Sequence, residues 1–195
     1  MDEPIGRRER KKAQTRQSLA DAALRLFLEH GYDQVGVKDV AEAADVSVTT
    51  LFKHFPSKEA LLFDLDDDIE AAVVAVVRER AHGQSIPQAL REHILWRATN
   101  VPAGDTQPAA FTRMVADTPV LREYARRMWL RHETTLARTI AEDIGAPNDD
   151  ISCAALARFA LDASDVIERH ANPQRAADEI FALLENGWNA IHPAQ

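Results

Sequence analysis

The stretch Val37–Phe55, VKDVAEAADVSVTTLFKHF, packs two short helical patterns together with almost no chain between them, which leaves few folds open. Val37, Val40, Ala41 and Ala44 recur at the i, i+3, i+4, i+7 spacing of one buried helix face. Ser47, a good N-cap, opens the second pattern over Val48–Phe55, with Leu51 and Phe55 four apart on its inward side. Only Asp45-Val46 separates the two, so the helices must cross steeply, as in a helix-turn-helix. Asp tolerates the left-handed backbone that such a turn often needs.

That packing turns Val48, Thr49, Thr50, Lys53 and His54 outward. A helix carrying methyl, hydroxyl, ammonium and imidazole groups fits a B-DNA major groove. There, hydroxyls and Lys meet base edges or phosphates, and methyls meet thymine. The plain alternative is a surface helix that is merely polar.

The surrounding composition favours helix. Nearly half of the chain is apolar, aromatics are sparse and glycines few, and no segment alternates like a strand. The expectation is an all-α chain of about nine helices with short loops. A net charge of −8 argues against nucleic acid, but its distribution does not. Residues 1–58 hold 10 Lys and Arg against 9 Asp and Glu, whereas residues 59–195 hold 13 against 22. Arg7, Arg8, Arg10, Lys11 and Lys12 form a basic run that reads as a phosphate or minor-groove tether, or as solvated charge. A single cysteine, Cys153, points to a reducing compartment and to a packing role in the chain. The charged N-terminus has no signal-peptide pattern, and the longest apolar run, Ala71–Val77, is far too short for a bilayer. A cytoplasmic protein with no membrane partner is expected.

In chain order, residues 1–8 read as disordered and helix 1 as Glu9–His30, stopped by Gly31. A fourth helix is expected to start directly after Ser57 and continue to about Ala81, with Asp64, Asp66, Asp67, Asp68 and Glu70 on a solvated face. Helices follow over Pro87–Asn100, Pro108–Ala116, Pro119–Ile144, Ile151–His170 and Pro173–Asn189, with the Pro102–Asp105 stretch read as a loop. Arg122, Arg126, Arg127 and Arg131 read as a solvated stripe or as an anion-binding rim. His93 and His132 lack a partner at metal-ligand spacing, so no metal is expected.

The run Leu19–Leu62 carries Ala22-Ala23, Leu26-Phe27, Gly31-Tyr32, Val40-Ala41, Val46-Ser47, Thr50-Leu51-Phe52, His54-Phe55 and Ser57–Leu61 in order. In these residues it resembles the DNA-binding domain of TetR-family transcriptional regulators. Three positions depart from the pattern: Asp45 stands for a common Gly, Phe52 for Tyr, and Val35-Gly36 for a Thr pair. The resemblance implies a DNA-binding domain over 1–56 and a helical ligand-binding and dimerisation domain over 57–195. The DNA-contacting set it implies is Lys38, Ser47, Val48, Thr49, Thr50, Phe52, Lys53, His54 and Lys58, the last through a free amine beside the recognition helix. It also implies a homodimer through the last two helices, where Ala154, Ala155, Ala157, Leu161, Ala177, Ile180, Phe181, Leu184 and Trp188 exceed what one neighbour covers.

Trp96, Phe111, Met114, Met128, Trp129, His132 and Phe159 are candidates to line an apolar effector cavity, with Asp162 as its buried polar group. The expected function is a regulator, a repressor released from a palindromic operator by a small molecule as helix 4 tilts. The rival is a helical sensor or carrier without DNA binding. No cofactor and no enzymatic activity are expected, since no nucleophile–base pair or phosphate loop is legible.

Overall fold

The computed structural model describes residues 6–100 and 107–192. Among them lie nine α-helices and two short 3-10 turns, with no strand. The α-helices are α1 (Arg7–His30), α2 (Val37–Ala43), α3 (Val48–His54), α4 (Asp66–Arg78), α5 (Ile86–Thr99), α6 (Gln107–Asp117), α7 (Pro119–Ile144), α8 (Ile151–Arg169) and α9 (Pro173–Ile191). The Pro102–Asp105 loop lies outside the described residues.

The chain divides into two compact units, residues 1–65 with 106–126, and residues 66–105 with 127–195. The expected boundary at 56/57 therefore differs from the packing. Ala60 and Leu61 are buried in the first unit's core, and Phe63 stacks on Tyr124 at 5.1 Å and meets the edge of Phe111 at 5.8 Å. These contacts keep residues 59–65 with α1–α3 and bring in α6 and the start of α7.

The first unit is built on Leu19, Ala23 and Phe27 of α1, which meet Tyr32, Val35, Val40, Leu51, Phe55 and Leu121. Gly31 ends α1 at φ 86°, a conformation costly for a side chain, while its N–H reaches the Phe27 carbonyl. Helix α1 also starts earlier than expected: Arg7 and Arg8 are helical, so this part of the basic run is a helix and not a loose arm.

The fourth helix differs most from expectation. Ser57 Oγ accepts the Ala60 N–H at 3.3 Å, but the result is one 3-10 turn, Glu59–Leu61, and α4 begins only at Asp66. Burial of Leu61 and the Phe63 stack turn the chain, and Asp66, Asp67 and Asp68 then occupy the first turn, where the helix dipole favours carboxylates.

The second unit packs α5, α8 and α9 against one another, with α4 on α5. Its core holds Val73, Val77, Leu90, Ile140, Leu156, Ala160, Ile167, Phe181 and Trp188. Side-chain caps set the starts: Ser85 accepts from the Gln88 N–H, Asp150 from Cys153 and Asn172 from Arg175. Arg80 joins α4 to α7 through a two-pronged pair with Asp143 at 2.7 and 2.6 Å.

Candidate nucleic-acid interface

Helices α2 and α3 meet through a four-residue connection, residues 44–47, whose pivot is Asp45, the one described non-glycine residue at positive φ, 53°. Val46 N–H returns to the Ala41 carbonyl at 2.9 Å, and Ser47 Oγ accepts the Thr50 N–H at 3.1 Å. Leu51 and Phe55 are buried on the inner side and fix the rotation of α3. At the other end, Gly36 N–H donates to the Asp39 carboxylate at 2.7 Å, which caps α2, and Val35 is part of the core. The Val35-Gly36 departure thus preserves the helix start by other means.

The outward set sorts into three groups. Thr49 and Lys53 are exposed, Phe52 is 49% exposed, and Lys38 and Ser47 are exposed at the flanks. Thr50 and Val48 are only partly outward: the Thr50 hydroxyl lies 2.9 Å from Ser47 Oγ, and Val48 packs on the core. His54 is half-buried, and its Nδ1 has no hydrogen-bond partner. Its pKa lies below the ordinary histidine value, first through burial and then through the charges of Lys12 and Arg16.

Lys58 corrects the expectation of a free amine. Its Nζ donates to the Tyr32 carbonyl at 2.6 Å and lies 3.9 Å from the centre of the Tyr32 ring. The Tyr32 hydroxyl in turn donates to Glu59 Oε1 at 2.8 Å.

Sequence reasoning missed Arg16. It donates to the His54 carbonyl at 2.9 Å and the Asp64 carbonyl at 3.1 Å, pairs with the Asp64 carboxylate at 2.7 Å, and lies over the Phe55 ring. It holds the C-terminal end of α3 against α1. The i, i+4, i+8 spacing of Arg8, Lys12 and Arg16 was the available signal.

The proposed effector residues are not gathered in one place. Phe111 and Met114 belong to the first unit, and the other six to the second. Trp96, Phe159 and Trp129 are exposed, whereas Met128 and His132 are buried. Asp162, expected to be buried, is exposed on α8 and takes the Arg158 guanidinium at 2.7 Å, one helical turn away. The acid cluster is not uniformly solvated either. Asp66 and Glu70 pair with Arg131, and Asp66 Oδ1 lies 2.6 Å from the buried His132 Nε2. Arg131 is exposed, as expected of the stripe, and is also tied to α4 through these two acids.

Cys153 sits at the start of α8, but burial, followed by the neighbouring Asp150, pushes its thiol up to about 11, which suits packing and not reactivity. Asp150, Ser152 and His192 come together there, a grouping that sequence spacing hides. The Ser152 hydroxyl lies between the other two, giving its proton to Asp150 and standing 2.7 Å from His192 Nε2. With that proton committed to the carboxylate, Nε2–H donates to serine, so the imidazole is no base for it.

A bare-faced second helix on a helix-turn-helix, ahead of a helical body, defines a DNA-binding regulator. The family described as "Bacterial regulatory proteins, tetR family" matches residues 19–65. The transcriptional regulator TcmR of Streptomyces glaucescens is 36% identical over 152 residues, 74% of this chain and 67% of that protein. The chain belongs to the TetR family of transcriptional regulators. In fold it is similar to NalD of Pseudomonas aeruginosa, the secondary repressor of the MexAB-OprM efflux pump (TM-score 0.60, 17% identity, 90% of this chain and 97% of that one). It is likewise similar to Bacillus subtilis FadR in complex with stearoyl-CoA (TM-score 0.55, 19% identity, 88% and 98%). Among the described residues, no helix is long and apolar enough to cross a membrane.

Proposed function

We propose that the chain is a repressor that binds a palindromic operator as a homodimer in the cytoplasm and is released by a small-molecule effector. The observation that carries this reading is the outer side of α3: Thr49, Phe52 and Lys53 are open to solvent while Leu51 and Phe55 anchor the helix from within. Thr49 and Phe52 would read base edges and thymine methyls; Lys53, Lys38 and the cap of α3 at Ser47 would meet phosphates.

Dimerisation is supported by apolar side chains that stand largely exposed among the described residues. Ile151, Phe159 and Val166 lie along one face of α8, and Leu183 and Ile191 along one face of α9. A two-fold partner presenting the same faces would bury them in a four-helix bundle. Most of the residues first assigned to that interface, including Ala157, Leu161, Phe181 and Trp188, are core of the chain itself. Effector release is supported by the FadR complex with stearoyl-CoA. On α7, Met128, Trp129 and His132 are the residues proposed to face such a molecule, which acts only through its differential affinity for two conformations.

The test is to select duplexes from a random library with the full-length protein. An inverted repeat should emerge. Replacing Lys53 with Ala should weaken binding to all sequences alike and reduce the slope of log affinity against log salt by about 1 per half-site, whereas Thr49→Ala should relax preference at one base position. No enriched sequence, or affinity indifferent to salt, would sink the reading.

A further inference from the structure

Arg8, Lys12 and Arg16 share one face of α1, and Arg16 is already spent on the His54 and Asp64 carbonyls and the Asp64 carboxylate. That attachment lays the first turns of α1 beside the last turn of α3. Arg8 and Lys12 then stand with Lys53, His54 and Glu9 around one open cleft. Among the described residues, neither Arg8, Lys12 nor Lys53 has an ion-pair partner, and all three are exposed. Three cations against the single carboxylate of Glu9 leave the concavity with a positive excess, and an anion placed among them relieves their repulsion.

We propose that this cleft seats a backbone phosphate of duplex DNA flanking the groove that α3 enters, shared by Arg8 and Lys12 of α1 and by Lys53 and His54 of α3. The inference rests on α3 being the DNA-reading helix and adds a contact outside the helix-turn-helix. The contact carries no base information, so it strengthens binding to every sequence equally.

His54 gives the site a second signature. The charged groups facing it are Arg8, Glu9, Lys12 and Arg16 from α1, Lys53 from its own helix, and Asp64 beyond Arg16. Burial, then Lys12 and Arg16, push its pKa below the ordinary histidine value. A phosphate in the cleft reverses the local field and favours the imidazolium, so DNA binding takes up a proton there. Affinity should then rise as pH falls through the ordinary histidine range, and His54→Gln should flatten that dependence.

The experiment measures binding of the full-length protein to a short random-sequence duplex across salt. The protein is compared with Arg8→Ala/Lys12→Ala and with Arg7→Ala/Lys11→Ala, which loses the same charge outside the cleft. All four positions are exposed, so thermal unfolding should be unchanged and serves as the folding control. The cleft variant should lose about 0.9 from the salt slope per bound subunit, one phosphate's worth, while the control keeps the original slope. Equal slopes in the two variants, or none changed, overturn the cleft. Inorganic phosphate at matched ionic strength should compete with the duplex and lose that effect in the cleft variant; phosphate that binds the cleft while duplex affinity stays unchanged would make it a free-anion site and overturn the assignment to DNA. If library selection finds no operator but the slope difference holds, the operator reading falls and the cleft stands. If the protein binds no duplex, both fall.

Discussion

Lys58 and His93 show how surroundings set what a charged side chain does. The Lys58 pKa is lowered chiefly by burial, which outweighs the attraction of Asp33, Glu59 and Asp39, and its amine is held on the Tyr32 carbonyl and ring. Such a lysine braces the segment leading out of α3, with one of its three N–H donors fixed on the Tyr32 carbonyl. His93 is half-buried with an unpartnered Nε2, and its pKa is lowered first by burial and then by Arg97. A histidine depressed in the folded state binds fewer protons there than in the unfolded chain. Its contribution is therefore intact above the unfolded value of roughly 6.5 and is lost as pH falls through the folded one. Urea unfolding at about pH 7 and pH 5 should show His93→Gln losing less stability on acidification than the unmodified chain; equal losses would assign the effect elsewhere. His54, depressed in the same direction, should keep part of the acid sensitivity in that variant.

At the scale of elements, short helices depend most on their ends. Helix α3 has only seven residues, too few to persist without its cap and its two buried anchors. Ser47→Ala removes the acceptor for the Thr50 N–H and should cost about 1 kcal/mol in chemical denaturation. The same change frees the Thr50 hydroxyl from its Ser47 contact, so any change in operator preference should appear at the base nearest Thr50. A loss well under ~0.3 kcal/mol would mean that Leu51 and Phe55 alone hold the helix. Helix α4 illustrates the opposite case. Its apolar periodicity runs back to Leu61, yet a side chain drawn into a neighbouring core and three acids in sequence move its start to Asp66.

At the scale of the whole molecule, α8 and α9 carry stripes of exposed apolar side chains. Phe159 is 57% exposed and Leu183 75%, on a chain whose remaining aromatics and leucines are mostly covered. Phe159→Glu with Leu183→Glu should give a folded monomer by sedimentation, with unchanged helicity and much weaker operator binding, since one half-site contact is lost. A variant that stays dimeric would move the interface elsewhere. The net charge of −8 belongs to this scale too: the acidic excess lies after residue 58, so the basic turns of α1 and α3 remain the end that a duplex attracts.

The sequence by itself determined the helical class, the helix-turn-helix with its Ser47 cap and left-handed Asp45, and the family. All of these follow from spacing within a few turns of chain, where hydrophobic period and capping chemistry act locally. Only the tertiary structure decided which outward groups stay available. Arg16 tied down the end of α3, Tyr32 claimed Lys58, Arg158 took Asp162 at the surface, and Asp66 reached His132 across 66 residues. Most of these partners are remote in sequence, and even the one a single turn away depended on which face of α8 met solvent. Burial and pairing are properties of the assembled core, and no periodicity along the chain encodes them.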